Sequence, residues 1–394
     1  MRKSLLSLAV VTALASTSLL AGDVRVSGFV NVVGGMNDMD DGQRDNINGY
    51  DDQYDFQQNS LAALQFNGSI SDNMSAVVQL VAQKSNTGDD IRMEWGYVAY
   101  DATDSLRILA GRVRPALFLY SDYLDVGYAY TWITPPSEVY YQAQITNLDG
   151  TNIAYNLELG DNELTFNAYA GNTTTQKIKP DDGTINDFAN DNIFGGEIAF
   201  ITEYMKIRAG YTSASVTQND ANFGPLSQAV VDELGFDESS AAFYGAGMSV
   251  DYEDFHFAAE YVARDMDETV APDVTSYYAM LGYTIGDFTP NYTYAVADSE
   301  MEFSTATGTT NAPDGNGGVT TKPNAAVING MRAGLLDDRV SSTIGLRYEV
   351  NPAAALKFEY NMATVTSSTY GGGTTLNETD TDINTYRVAL NVIF

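Results

Sequence analysis

The 394-residue chain contains no Cys and a single His. The first absence excludes disulfides, Cys-ligated zinc, iron–sulfur clusters and a thiol nucleophile. The second leaves almost no support for a Ser–His site or a multi-His metal site. Basic residues are scarce, with 20 Lys and Arg against 52 Asp and Glu, for a formal charge of −32. Phosphate binding needs clustered Lys and Arg, so the acidic balance argues against nucleic acid as the main partner. Charged residues of either sign make up only 18% of the chain, which is low for a soluble domain. Long apolar runs are confined to the first residues. What is abundant is aromatic or small, with 26 Tyr, 17 Phe and 34 Gly, and that composition argues against disorder.

The one apolar run sits in residues 1–21. Arg2 and Lys3 precede it, Leu5 through Leu20 form its body, and Ala21 and Gly22 close it. This is the layout of a secretory signal peptide with cleavage near Ala21 or Gly22, leaving 22–394 as the mature unit. A membrane anchor is the alternative, disfavoured by the interspersed Ser and Thr and the small-residue exit. Removing Arg2 and Lys3 takes the formal charge from −32 to −34. No later stretch reaches the ~18 apolar residues that a membrane helix needs.

Beyond that segment the chain has a period of two. In 23–34, Val24, Val26, Val30 and Val32 share a face with Gly28, opposite Arg25, Ser27 and Asn31. In 91–101, Ile91, Met93, Trp95, Tyr97 and Ala99 oppose Arg92, Glu94 and Tyr100. In 254–265, Phe255, Phe257, Ala259, Tyr261 and Ala263 oppose His256, Glu260 and Arg264. The same alternation runs through 73–84 and 338–350. It describes strands with one apolar and one wet face.

Short and long connections alternate. Seven short turns, from Ser71–Asn73 to Asn351–Pro352, separate eight longer polar segments near 35–58, 85–90, 113–149, 172–190, 218–239, 266–273, 300–337 and 366–380. That count implies about sixteen strands with turns at one rim and loops at the other, an up-and-down barrel. Parity constrains one region. A strand at 139–147 would put the tight Gly160–Asn162 turn on the long-loop side, so 113–149 reads as one excursion after the fifth strand.

The apolar face carries almost no charge, and Arg112 is its one doubtful case. A charge at the bilayer midplane costs roughly 2–4 kcal/mol on a barrel surface, so the exclusion points to lipid outside. Tyr252, Phe255, Tyr283, Phe288 and Phe394 fall near the short-turn rim, as an interfacial belt would. Ordinary strand propensity of aromatics is the alternative. The fold expected is therefore all-β: a transmembrane antiparallel up-and-down β-barrel.

Two stretches carry a resemblance. Tyr386, Val388, Leu390, Val392 and Phe394 alternate to a terminal Phe, similar to the C-terminal sorting signal of outer-membrane barrels. Gly111-Arg112-Val113-Arg114-Pro115 leads into Tyr120-Ser121-Asp122-Tyr123-Leu124-Asp125, then Tyr128, Tyr130, Trp132, Pro135-Pro136 and Glu138. In position and length this excursion resembles the inward-folded third loop of the Gram-negative general porins, trimeric sixteen-stranded outer-membrane barrels. The resemblance implies a homotrimer in the outer membrane, with lipid and lipopolysaccharide as neighbours and small hydrophilic solutes and ions as cargo.

A constriction selects by size and by the field between facing charges. The acids expected on the loop are Asp122, Asp125 and Glu138. The bases expected along the pore are Arg25, Arg92, Arg107, Arg208, Arg347 and Arg387, with Arg112 and Arg114 at the loop entrance. Each Arg either lines the eyelet or pairs with a lumen carboxylate such as Glu94, Glu349 or Glu359. The Tyr120–Tyr130 rings are expected to pack the loop rather than stack sugars. Acids crowd the first and fourth outer loops, among them Asp38, Asp40, Asp41, Asp45, Asp51, Asp52, Asp55, Asp181, Asp182, Asp187 and Asp191. Loosely bound Ca2+ or Mg2+ would suit them, but no EF-hand spacing is present and a solvated acidic loop is favoured. No other cofactor is called for.

The expected function is passive diffusion through a water-filled channel with a mild cation preference. A substrate-specific channel and a surface adhesin or receptor barrel are the alternatives. An enzyme is disfavoured. His256 sits beside the short Glu253-Asp254 turn on the lumen side, with Ala at 258, unlike the lipid-facing His of outer-membrane phospholipases.

Overall fold

The computed structural model describes residues 24–39, 49–85, 88–143, 145–173, 176–178, 186–219, 226–235, 239–267, 271–313 and 318–394. The expected signal segment lies outside them, as do Asp40, Asp41, Asp45, Asp181 and Asp182. Sixteen strands form a closed antiparallel barrel. They are β1 (Val24–Asn37), β2 (Leu61–Ser71), β3 (Met74–Ser85), β4 (Gly88–Asp101), β5 (Leu106–Val113), β6 (Leu148–Leu159), β7 (Asn162–Asn172) and β8 (Asn186–Ile201). The second half is β9 (Met205–Asn219), β10 (Ser239–Tyr252), β11 (Phe255–Asp267), β12 (Asp273–Tyr283), β13 (Phe288–Glu300), β14 (Asp337–Asn351), β15 (Ala354–Gly372) and β16 (Thr375–Ile393). A short strand, Gln176–Ile178, pairs with the outer part of β8.

Neighbouring strands pair in chain order, and β16 returns to β1 in the register Val30↔Val392 and Val32↔Leu390. The terminal Phe394 finishes the seam. Its N–H donates to Gly28 O at 2.9 Å and its carbonyl accepts from Gly28 N at 2.8 Å. Closure satisfies every edge within the sheet, which lipid demands of a spanning structure. No helix among the described residues is long and apolar enough to cross a membrane.

Exposed large apolar side chains lie at alternate positions on almost every strand, for instance Val24 and Val26, Ile153, Tyr155 and Leu157, Tyr292 and Tyr294, and Leu390. Tyr252, Phe255, Tyr283, Phe288 and Phe394 are all exposed near the short-turn rim. Between the end of β5 at Val113 and the start of β6 at Leu148 lies the short helix Ser137–Tyr140, where a strand would have broken parity.

Three expectations need correction. The segments near 85–90 and 366–380 are not long loops: β3 and β4 extend to Ser85 and Gly88, and β15 and β16 run to Gly372 and Thr375. Above the lipid both faces are wet, so the upper hairpin uses polar cross-strand pairs instead of apolar alternation. Thr364 Oγ1 donates to Asp382 at 2.7 Å and Thr366 Oγ1 to Asp380 at 2.6 Å. The 300–337 loop holds a hairpin, Thr309–Pro313 with Val319–Pro323, and a helix, Asn324–Ala333. Ile328 of that helix packs on Val230, Val231 and Leu234 of the outer loop between β9 and β10, so the two loops form one apolar-centred crown.

The third correction concerns β4. Its register with β3 steps from Gln79↔Trp95 to Leu80↔Met93, leaving Glu94 as an extra residue. Such a bulge reverses the alternation. Ile91 and Met93 face out, as expected, but so do Val98 and Tyr100, while Ala99 is fully buried. Trp95, Tyr97 and Ala99 therefore face the lumen together with Glu94, against the unbroken period.

Candidate functional site

The inserted loop is positioned by the barrel wall. It leaves β5 at Arg114, and its first stretch meets β9 to β11. Arg208 on β9 donates to Leu117 O at 2.9 Å and to Ala116 O at 2.8 Å. Leu119 N donates to Glu260 Oε1 on β11 at 2.6 Å, and Tyr140 OH to Glu260 Oε2 at 2.9 Å. Leu117, Phe118, Tyr120, Tyr130 and Trp132 then pack with Phe243, Val262, Tyr278 and Met280 of the wall. The Tyr and Trp rings thus build an apolar core inside the barrel, which is the packing role expected of this stretch.

The loop next crosses to the barrel seam. Asn31 Nδ2 on β1 donates to Asp125 O at 2.8 Å. Gly127 lies so close that a Cβ there would stand 2.8 Å from Asn31 Oδ1, so any larger residue would have to displace that side chain. Returning over β14 and β15, the loop offers its backbone carbonyls to two cations. Arg347 donates to Tyr128 O at 2.6 Å and Tyr130 O at 3.0 Å. The fully buried Lys357 donates to Gly127 O at 2.5 Å, Tyr130 O at 2.6 Å and Trp132 O. Ile133 N donates to Glu359 at 2.7 Å, Trp132 Nε1 to Thr293 on β13 at 2.7 Å, and Arg387 to Thr134 at 2.8 Å.

Charges around the loop compensate one another. Arg92 meets Glu94 at 2.6 Å, and Arg114 meets Glu94 at 2.5 Å and Asp125 at 2.6 Å. Arg114 also lies over the Trp95 ring, 5.0 Å from its centroid, so the β4 bulge presents both of its partners on one face. Burial works to lower the Arg114 pKa, but Asp125 and Glu94 outweigh it and hold it above its ordinary value. Arg208 pairs with Glu197 and Glu260, Arg347 with Glu349, and Arg387 with Glu359. The six cations Arg92, Arg114, Arg208, Arg347, Lys357 and Arg387 thus stand among six carboxylates. Buried ions need this matching, because desolvation of an unmatched charge is expensive.

The remaining expected site residues fall in other places. Asp122 is exposed on the loop and has no ion-pair partner among the described residues. The neighbouring Tyr123 is pushed up to about 12, by burial first and then by Asp122 and Asp251. Glu138 is buried on the helix Ser137–Tyr140. Arg107 pairs at 3.6 Å with Asp101 near the short-turn rim, and Arg25 is exposed there. Arg112 is not pore-lining. Its neighbour Val113 is buried inward against Leu148, so Arg112 and its cross-strand partner Asp149 face outward. The two are joined at 2.7 and 2.8 Å.

Lys357, Glu260 and Asn31 are not singled out by sequence reasoning. Parity was the available signal, since each is on an inward face and Lys357 stands directly across from Arg347. Of the acidic outer loops, Asp38 accepts from Asn384 and Asp55 lies 3.9 Å from Lys84. Among the described residues no group of three or more His, Asp or Glu could hold a metal ion.

Solved structures with this architecture are numerous. The outer membrane channel DcaP of Acinetobacter baumannii superposes with a TM-score of 0.56 at 13% identity, over 96% of this chain and 99% of that one. The fold is that of the outer-membrane porins. OmpF of Salmonella typhi matches with a TM-score of 0.55 at 14% identity, over 95% and 98% of the two chains. An anion-selective porin from Comamonas acidovorans matches with a TM-score of 0.54 at 12% identity, over 94% and 99%. No family model and no curated protein matches the sequence.

Proposed function

We propose that the protein is a Gram-negative outer-membrane porin through which small hydrophilic solutes and ions diffuse passively. The observation that carries this is the combination of an apolar outer face with a loop tethered across the inside of the barrel. A purely structural barrel has no use for such a loop, whereas a channel needs one to set its width. Elsewhere on the inward faces of β2, β3, β6 and β7 stand Gln65, Asn67, Gln79, Asn152, Thr165 and Asn167. Neutral amides and hydroxyls suit uncharged polar solutes as well as ions. Liposome swelling with neutral sugars of increasing size tests the reading. Swelling that falls off with solute size supports it, and sugar-independent behaviour indistinguishable from protein-free liposomes overturns it.

Cation preference belongs to the same proposal. The loop's ion pairs cancel, which leaves Asp122 and the acidic rim to set the sign. The fold itself does not decide it, since one neighbour is described as anion-selective. We further infer a homotrimer, measurable as the mass of the detergent-extracted particle.

His256 supports no enzymatic reading. Its Nδ1 meets Asp251 at 2.7 Å and its Nε2 meets Thr284 Oγ1 at 2.8 Å, the order of groups in a hydrolase. Acyl transfer also needs backbone donors for an oxyanion. Thr284 N instead donates to Asp254 O at 2.8 Å, and Thr284 Oγ1 is shared with Thr289 at 3.0 Å. The group ties the short-turn rim together.

A further inference from the structure

A cavity of about 430 Å³ lies on the long-loop side of the constriction, between β9–β11 and Tyr141, Gln142, Ala143 and Ile145 of the inserted loop. Its lining differs from the amide wall of the lumen. Leu117, Ile145, Ala214, Val216 and Phe243 give it an apolar body, and Arg264 is the only charged residue lining it among the described residues. Arg92, Arg114, Arg208, Arg347 and Arg387 near the loop are ion-paired. Arg264 has no carboxylate within ion-pair distance among the described residues. It donates instead to two backbone carbonyls, Gln142 O at 3.2 Å and Pro272 O at 3.1 Å. A guanidinium carries five N–H donors, and Arg264 Nε is a buried one without an acceptor. The nearby Asp273 accepts from Met266 N at 2.7 Å. Glu138 and Arg339 line an adjoining cavity of about 180 Å³, which shares Arg264.

We propose that this chamber is a binding station for organic monoanions with an apolar body, namely aromatic or branched aliphatic carboxylates. Arg264 takes the carboxylate, and the Phe243–Ile145 pocket takes the body. A lone carboxylate without a body gains nothing from the lining, and an aromatic cation meets the guanidinium with the wrong sign. The volume is in the range of small-molecule sites. The two carbonyls fix the guanidinium before a solute arrives, and each of its terminal nitrogens keeps a second N–H for a charge-assisted bond to a carboxylate. The inference rests on the channel reading for its purpose, since a station on the outer side of the constriction favours entry of such solutes. Binding itself does not depend on conduction.

Isothermal titration of the purified full chain in detergent with sodium benzoate tests it. The expected result is saturable binding of about millimolar affinity, as suits a ligand of about nine heavy atoms, with no saturable heat from acetate or benzylammonium. Arg264→Gln should weaken benzoate binding by at least about tenfold, the loss of one hydrogen bond to a charged group. Ala241→Trp leaves Arg264 in place but fills the chamber, and should abolish binding, so the test survives if the first variant does not fold. Absence of saturable benzoate binding, or benzoate binding unchanged in either folded variant, overturns the proposal. Planar-bilayer recording on the same preparation separates the two readings. Conductance without benzoate binding removes the station and leaves the channel. Benzoate binding without conductance supports the station and removes the channel.

Discussion

Lys357 shows how one buried cation can hold a loop. It bonds to three loop carbonyls and lies 5.0 Å from the Tyr130 ring centroid. Lys357→Met keeps the length of the side chain and removes all three donors. Each lost bond to a charged group is worth roughly 1.5–3 kcal/mol, so the loop should loosen while the barrel stays closed. Single-channel recording should show a higher open conductance and more current noise. Current traces identical to those of the unaltered protein would show that the loop is held without Lys357. Asp122 is the contrasting case, exposed and without an ion-pair partner among the described residues. Asp122→Asn should leave stability within about 0.5 kcal/mol, as surface changes do, and shift the reversal potential toward anions. An unshifted potential would move the source of selectivity to the rim.

Much of the residue chemistry was legible in the sequence, and little of the pairing was. Parity put Arg208, Arg347 and Arg387 on inward faces. That they would grip the loop's own carbonyls could not be read, because Tyr130 and Lys357 are brought together only by closure of the barrel. Period alone put Arg112 on the apolar face as a doubtful case while its place at the loop entrance suggested the pore, and the inward burial of Val113 with the Asp149 pairing decides for the outer face.

At the scale of elements, the strands inside the lipid announced themselves, because lipid enforces a period of two. Where lipid stops, that signal stops. The tall β15–β16 hairpin read as a loop for this reason, and the β4 bulge was invisible because one extra residue leaves composition unchanged. The crown gives a prediction at this scale. Ile328 is fully buried between the two outer loops. Ile328→Asp loses its burial, which costs roughly 2–5 kcal/mol even for truncation to Ala, and adds an unpaired charge. Limited proteolysis should then cut within 301–336 much faster, with conductance unchanged. Protection equal to that of the unaltered chain would mean that the crown is not held by this contact.

At the scale of the whole molecule, the large negative charge is distributed by region. The ion pairs around the loop balance, the outer face is almost uncharged, and the excess lies at the rims. An anion-binding chamber above the constriction is compatible with that field, because Arg264 acts over contact distance while rim charges are screened beyond about 8 Å at physiological salt. The rim should therefore govern small ions and the chamber should govern apolar carboxylates. Raising the salt concentration should diminish the first preference and spare the second.

The most direct test of the central claim is planar-bilayer recording of the purified protein under a potassium chloride gradient. The account predicts discrete, ion-permeable conductance steps with a reversal potential on the cation side. Absence of steps from correctly folded protein would contradict the channel, and steps reversing on the anion side would contradict the role given to Asp122 and the acidic rim.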